Sequence, residues 1–158
     1  MSDQLQHELR IDALTIADLA RIREFLQASL AQLDCPGATD ALVLAVDEVC
    51  ANLAEHGSAD GNAGPVRIGV RRAASDAIIV VEDEGPPFHP GDAPPPDLDT
   101  AWESRRVGGL GWFLVRQMVD ELTYVSIPRL AGDTPVGAQN CLTLVKRDSC
   151  RAPHPVRD

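Results

Sequence analysis

The sequence predicts an α/β two-layer sandwich, in which one mixed, mostly antiparallel sheet carries helices on one face. Three observations carry this. The hydrophobic periodicities run in the order β-α-α-β-β-(long loop)-α-β-β, and the strands fall into hairpin-like pairs instead of alternating one by one with helices. The third is size, since 158 residues with 44% hydrophobic content suffice for one core-bearing domain. That domain is expected over residues 1–146, with 147–158 as a flexible tail.

Residues 5–11 alternate loosely through Leu5, His7, Leu9 and Ile11, which suits an edge strand. Thr15 with Asp18 three residues on approximates a capping box. Ile16, Leu19, Ile22, Leu26, Leu30 and Leu33 then follow at spacings of three and four, the stripe of an amphipathic helix. Cys35-Pro36-Gly37 ends that helix. Thr39 or Asp40 caps a second, with Leu42, Val46, Val49 and Leu53 as its buried stripe and a stop near His56-Gly57. Beyond a polar, Gly-rich loop at 58–65, residues 66–71 alternate strictly while 77–81 are apolar throughout, so they read as neighbouring strands with the second more deeply buried. Residues 84–107 lose periodicity and hold six of the twelve prolines between Pro86 and Pro96; an irregular connection of that length inside a small domain is functional or mobile. A third helix is expected over 110–119, and strands over 122–127 and 141–146 with a Gly/Pro-containing turn region between them.

Composition narrows the partners. Thirteen Arg and one Lys against 24 Asp+Glu give a net charge of −10, which argues against duplex nucleic acid or an anionic membrane as the main partner. No apolar run approaches the roughly 18–20 residues that cross a bilayer, and the first 25 residues lack a basic start with an apolar stretch, so the chain reads as soluble and cytoplasmic. Cys35, Cys50, Cys141 and Cys150 are widely spaced, without a C-x-x-C pair. They are expected to be reduced, with Cys50 and Cys141 filling core positions.

Three constellations carry chemistry. Glu48 and Asn52 stand four residues apart on one helix face, with Glu55 extending the line; a carboxylate can accept a proton, and an amide oxygen is a neutral hard ligand suited to Mg²⁺. Asp83 and Gly85 end the buried strand, where a carboxylate could accept the exocyclic amine of a purine and glycine leaves room for the ring. Arg105-Arg106-Val107-Gly108-Gly109-Leu110-Gly111 leads into a helix, so main-chain N–H groups and the helix start suit a polyphosphate. Each part alone also fits an ordinary role: a solvated helix face, a strand-ending turn, a solvated pair of arginines.

Their order is more specific. Glu-x-x-x-Asn on a helix, then strand-Asp-x-Gly, a long loop and Gly-Gly-Leu-Gly opening a helix resembles the Bergerat-fold (GHKL) ATPase superfamily over almost the whole chain. Asp47-Glu48-Val49-Cys50-Ala51-Asn52, Asp83-Glu84-Gly85-Pro86-Pro87-Phe88 and Gly108-Gly109-Leu110-Gly111-Trp112 look most like the anti-sigma-factor serine kinases of the RsbW/SpoIIAB type. The resemblance implies ATP and Mg²⁺ as cofactors. It implies Glu48 as catalytic carboxylate, Asn52 as Mg²⁺ ligand, Asp83 as adenine reader, Gly85 beneath the base, and Gly108, Gly109, Leu110 and Gly111 as the phosphate box. Thr143 is similar to a threonine that supports the adenine site through water. Residues 86–107 would form a nucleotide lid without lysine, leaving Arg105 or Arg106 for the γ-phosphate, and Pro87 stands where many members have a second glycine. The implied partners are a STAS-type anti-anti-sigma protein, a sigma factor or similar target, and a second copy in a homodimer. A stand-alone domain of this length is expected to act on a separate protein, the alternative being a nucleotide-dependent binding module without phosphotransfer.

Overall fold

The computed structural model describes residues 4–56, 64–86 and 107–152. Among them the elements follow the expected order: β1 (His7–Ile11), a 3-10 turn (Ile16–Asp18), α1 (Leu19–Gln32), α2 (Thr39–His56), β2 (Val66–Ala73), β3 (Asp76–Asp83), α3 (Val107–Met118), β4 (Glu121–Ala131) and β5 (Thr134–Lys146). The sheet order is β1-β2-β3-β5-β4, and every pairing among the described residues is antiparallel, in keeping with the mostly antiparallel sheet expected. Strands adjacent in sequence form the hairpins β2–β3 and β4–β5. The β3–β5 pairing joins these hairpins, and the long connection and α3 are inserted between them.

Side-chain alternation with a period of two places Ile68, Val70, Ile79, Val81, Leu142 and Leu144 on the face covered by helices. There they form one core with Ile22, Leu26 and Leu30 of α1, Leu42, Val46 and Val49 of α2, and Val115 of α3. Each such fully buried side chain contributes about 1.5–3 kcal/mol relative to exposure. The other face is polar towards β1, where Arg67 pairs with Glu82 at 2.8 Å and with Glu8 at 3.1 Å. The Thr15 N–H donates to Asp18 Oδ2 at 2.9 Å, so the expected cap forms. Ile16, however, is 51% exposed, because the tighter 3-10 turn takes it out of the α1 stripe.

Strands β4 and β5 run further than the sequence suggests, to a turn at Gly132-Asp133 in which Gly132 has φ +65°. Pro128 and Pro135 had marked this stretch as a turn region. They are tolerated because the hairpin here extends past the last β3–β5 pair, Asp83 with Asn140, and among the described residues β5 pairs there with β4 alone.

Residues 147–152, expected to fray, are tied down. Ser149 and Cys150 both donate their N–H to Ser75 O at 2.9 Å, Gly37 N–H donates to Ser149 O at 3.0 Å, and Arg151 N–H donates to Asp34 O at 2.9 Å. This strap carries Cys150 onto the α1–α2 turn, where it forms a disulfide with Cys35. The expectation that all four cysteines are reduced is therefore corrected. Cys50 is buried as expected, whereas Cys141 is half-buried on the face away from the helices, opposite Glu82. The rest of the expected tail, 153–158, lies outside the described residues. No helix among the described residues is long and apolar enough to cross a membrane.

Candidate functional site

Helix α2 turns Glu48 and Asn52 towards α3, and the two helices meet there through a glycine. A Cβ built on Gly111 would lie 2.9 Å from Glu48 Oε2 and 3.6 Å from Asn52 Nδ2, so the absence of a side chain is what lets the carboxylate and amide occupy this space. Burial holds the Glu48 carboxyl above the usual carboxylate range, and the charges of Asp47 and Glu55 push in the same direction. Asn52 Nδ2 is buried without a hydrogen-bond partner, so its N–H donors are left unsatisfied by the described residues.

Gly108, Gly109 and Leu110 belong to the first turn of α3, which starts at Val107 and not at the expected position 110. The glycine run is thus the helix N-terminus itself, whose first N–H groups lack intrahelical acceptors and suit phosphate oxygens. Arg105, Arg106, Pro87 and most of the expected lid lie outside the described residues.

Gly111→Ala tests the close approach. Glu48 can swing aside, and alanine is about 1 kcal/mol better than glycine inside a helix, so melting should be unchanged or slightly higher. Displacing the carboxylate by about 1 Å should nevertheless cost roughly 10²-fold in turnover. Equal loss of stability and activity would instead mean that Gly111 is only a packing residue.

Asp83 ends β3 and is 8% exposed. Its Oδ1 accepts the Gly85 N–H at 2.9 Å, a side-chain-closed turn that brings Gly85 beside the carboxylate. Buried Cys50 of α2 lies close enough to feel this charge; burial first, then Asp47 and Asp83, push its thiol up to about 12, which keeps it neutral and unreactive.

Thr143 does not join this group. Asn140, Leu142 and Leu144 point to the helix-covered side of β5, and the alternation sends Thr143 to the other face, between Val80 and Thr123. The residue that meets Asp83 is Asn140, directly opposite it in the β3–β5 register. The sequence reading missed it. The available signal was a polar residue in phase with Leu142 and Leu144 on an otherwise apolar strand face.

The site therefore has two ends. At one are the Asp83 carboxylate and the Gly85 turn it closes; at the other are the α3 N-terminus and, at Gly111, Glu48 and Asn52. Among the described residues no cluster of three or more His, Cys, Asp or Glu forms a metal cage. The atom of Asn52 that could ligate a Mg²⁺, one taking its remaining ligands from water and phosphates, is the amide oxygen and not the unpaired Nδ2.

Residues 13–146 match the family model of the histidine kinase-like ATPase domain. Among solved structures the chain is similar to the Acinetobacter baumannii histidine kinase AdeS, with 13% identity, 91% of this chain and 68% of that chain covered, and a TM-score of 0.42. It is also similar to the mycobacterial sensor histidine kinase MprB, with 20% identity, 88% of this chain and 99% of that chain covered, and a TM-score of 0.40. No curated protein matches.

Proposed function

The chain belongs to the histidine kinase-like ATPase domain family, and on that premise we propose that it is an ATP-dependent protein serine kinase of the anti-sigma type. It holds a sigma factor or similar regulatory target and phosphorylates a serine on a STAS-type antagonist, whose release or capture then switches the target. The observation that carries this reading is the Glu48 carboxylate held against Gly111, at the end of the helix whose glycine-rich start suits phosphates. The motif order around it resembles the anti-sigma kinases.

In this reading Asp83 accepts the exocyclic amine of adenine and Gly85 leaves space beside the ring. The N–H groups at the start of α3 take the phosphate oxygens. Asn52 would hold a Mg²⁺ ion, which would supply positive charge to offset the charge that develops on the phosphates during transfer. Glu48 takes the proton from the serine hydroxyl as its oxygen bonds to the γ-phosphorus and the bond to the β-phosphate oxygen breaks, ADP leaving. The raised basicity of Glu48 suits that role. A phosphate on the antagonist adds about −1.5 to −2 charges to a contact surface, enough to release it.

The test is intact-protein mass spectrometry of a STAS-type antagonist incubated with the protein and Mg-ATP. One added phosphate with the wild type, and none with Glu48→Ala, is the expected result. No added phosphate despite demonstrated binding of ATP and antagonist would overturn the kinase assignment for that pair and favour a nucleotide-gated binding module.

A further inference from the structure

Asn140 is 1% exposed, and its amide links three elements. Its Nδ2 donates both to Asp83 Oδ1 and to the Gly85 carbonyl oxygen, each at 2.9 Å, and its Oδ1 accepts the Ser126 hydroxyl of β4 at 2.7 Å. Exchanging the amide ends would set its oxygen against a carboxylate and a carbonyl, so the partners fix which end donates. Asp83 Oδ1 also accepts the Gly85 N–H at 2.9 Å. One carboxylate oxygen thus receives two N–H groups from the protein, and Oδ2 receives neither.

We infer that Asn140 is a positioning residue that locks the Asp83 carboxylate and the Gly85 turn, so that Oδ2 is held for the amine of an incoming purine. Asn140 has committed both of its N–H groups and does not itself donate to the base. Its effect reaches the ligand through Asp83. This deepens the proposed ATP site and rests on Asp83 being its purine reader. A carboxylate left to rotate would share its acceptor between the Gly85 N–H, water and the ligand. The preference for a purine that carries the amine, over one that lacks it, would then shrink.

The experiment measures dissociation constants by titration calorimetry for ATP and for purine riboside triphosphate, which differs by the missing amine, in the presence of Mg²⁺. Wild type should favour ATP by at least roughly tenfold, since a site built around a hydrogen bond rejects the analogue that cannot make it. Asn140→Ala should bring that ratio down towards one, chiefly by weakening ATP. With Asp83→Asn already present, adding Asn140→Ala should change the ratio no further. Equal weakening of both nucleotides by Asn140→Ala, or no change, would overturn the inference while leaving the ATP site in place. A wild type that binds ATP no better than the analogue would instead overturn Asp83 as purine reader, and the inference with it. Should Asn140→Ala fail to fold by circular dichroism, Ser126→Ala removes one bond of the set and is read by the same ratio. A reduced ratio supports the lock and an unchanged one overturns it.

Discussion

Glu48→Gln should lower phosphate transfer to a protein hydroxyl by about 10²–10⁴-fold, the usual contribution of a positioned general base, while ATP affinity stays close to wild type. Glutamine keeps the shape beside Gly111 and loses only the ability to take a proton. The same substitution carries an opposite expectation for stability. Burial and the charges of Asp47 and Glu55 raise the Glu48 pKa in the folded state, so the folded protein binds this proton more tightly than the unfolded chain does. The associated stability is fully present below the unfolded pKa and is lost as pH rises through the raised folded value. At neutral pH the ionised Glu48 therefore opposes folding, and Glu48→Gln should melt at the same temperature or higher, with the difference shrinking as pH falls into the usual carboxylate range. The wild-type transfer rate should rise with pH through that raised pKa. Thermal melts across pH and single-turnover transfer rates check both halves. Retained transfer would place the base elsewhere, and a clear drop in melting temperature would make Glu48 a structural residue.

That Glu48 and Asn52 could be found in sequence reflects how local the signal is. Four residues on a helix share a face whatever surrounds them, and the element order follows from periodicities of the same short range. Gly111 was singled out only as part of the glycine run suited to phosphate; its close approach to Glu48 depends on how α2 packs on α3, which no local pattern shows. Asn140 was not singled out, because its meaning depends on the register between β3 and β5, which pairs residues 57 positions apart. The same register decides which β5 side chains face the helices, and a choice made without it selected Thr143, one phase out. The extent of β4 and β5 was hidden similarly: prolines read as breakers until the hairpin is known to run past its neighbour.

The longest-range feature was the least visible, and it leads to the largest expected change in stability. Cys35 and Cys150 are separated by 115 positions, and their bond closes nearly the whole domain into one loop. Cross-links over loops of this order restrict the unfolded chain enough to contribute about 2–4 kcal/mol. Cys150→Ser, or reduction with dithiothreitol, should therefore lower the melting temperature by about 5–15 °C for a domain of this size. The strap should stay seated at ambient temperature without the bond. Arg72 holds it from below, donating to Leu33 O at 2.9 Å, to Ala74 O at 2.8 Å and to Arg151 O, while Ser75 accepts the N–H groups of Ser149 and Cys150. Nucleotide binding at 25 °C should accordingly be unaffected, because Glu48 and Asn52 lie more than two turns along α2 from the Cys35 end. Thiol counting supplies the independent reading. Protein unfolded without reductant should show two titratable thiols, Cys50 and Cys141, and four after reduction. Since structural disulfides are rare in a reducing cytosol, the count in protein trapped with alkylating agent directly from cells also tests the expected cytoplasmic location. Four thiols before reduction, with a melting temperature indifferent to reductant, would remove the bond from the account of this fold and leave the Arg72 and Ser75 hydrogen bonds as what holds the strap.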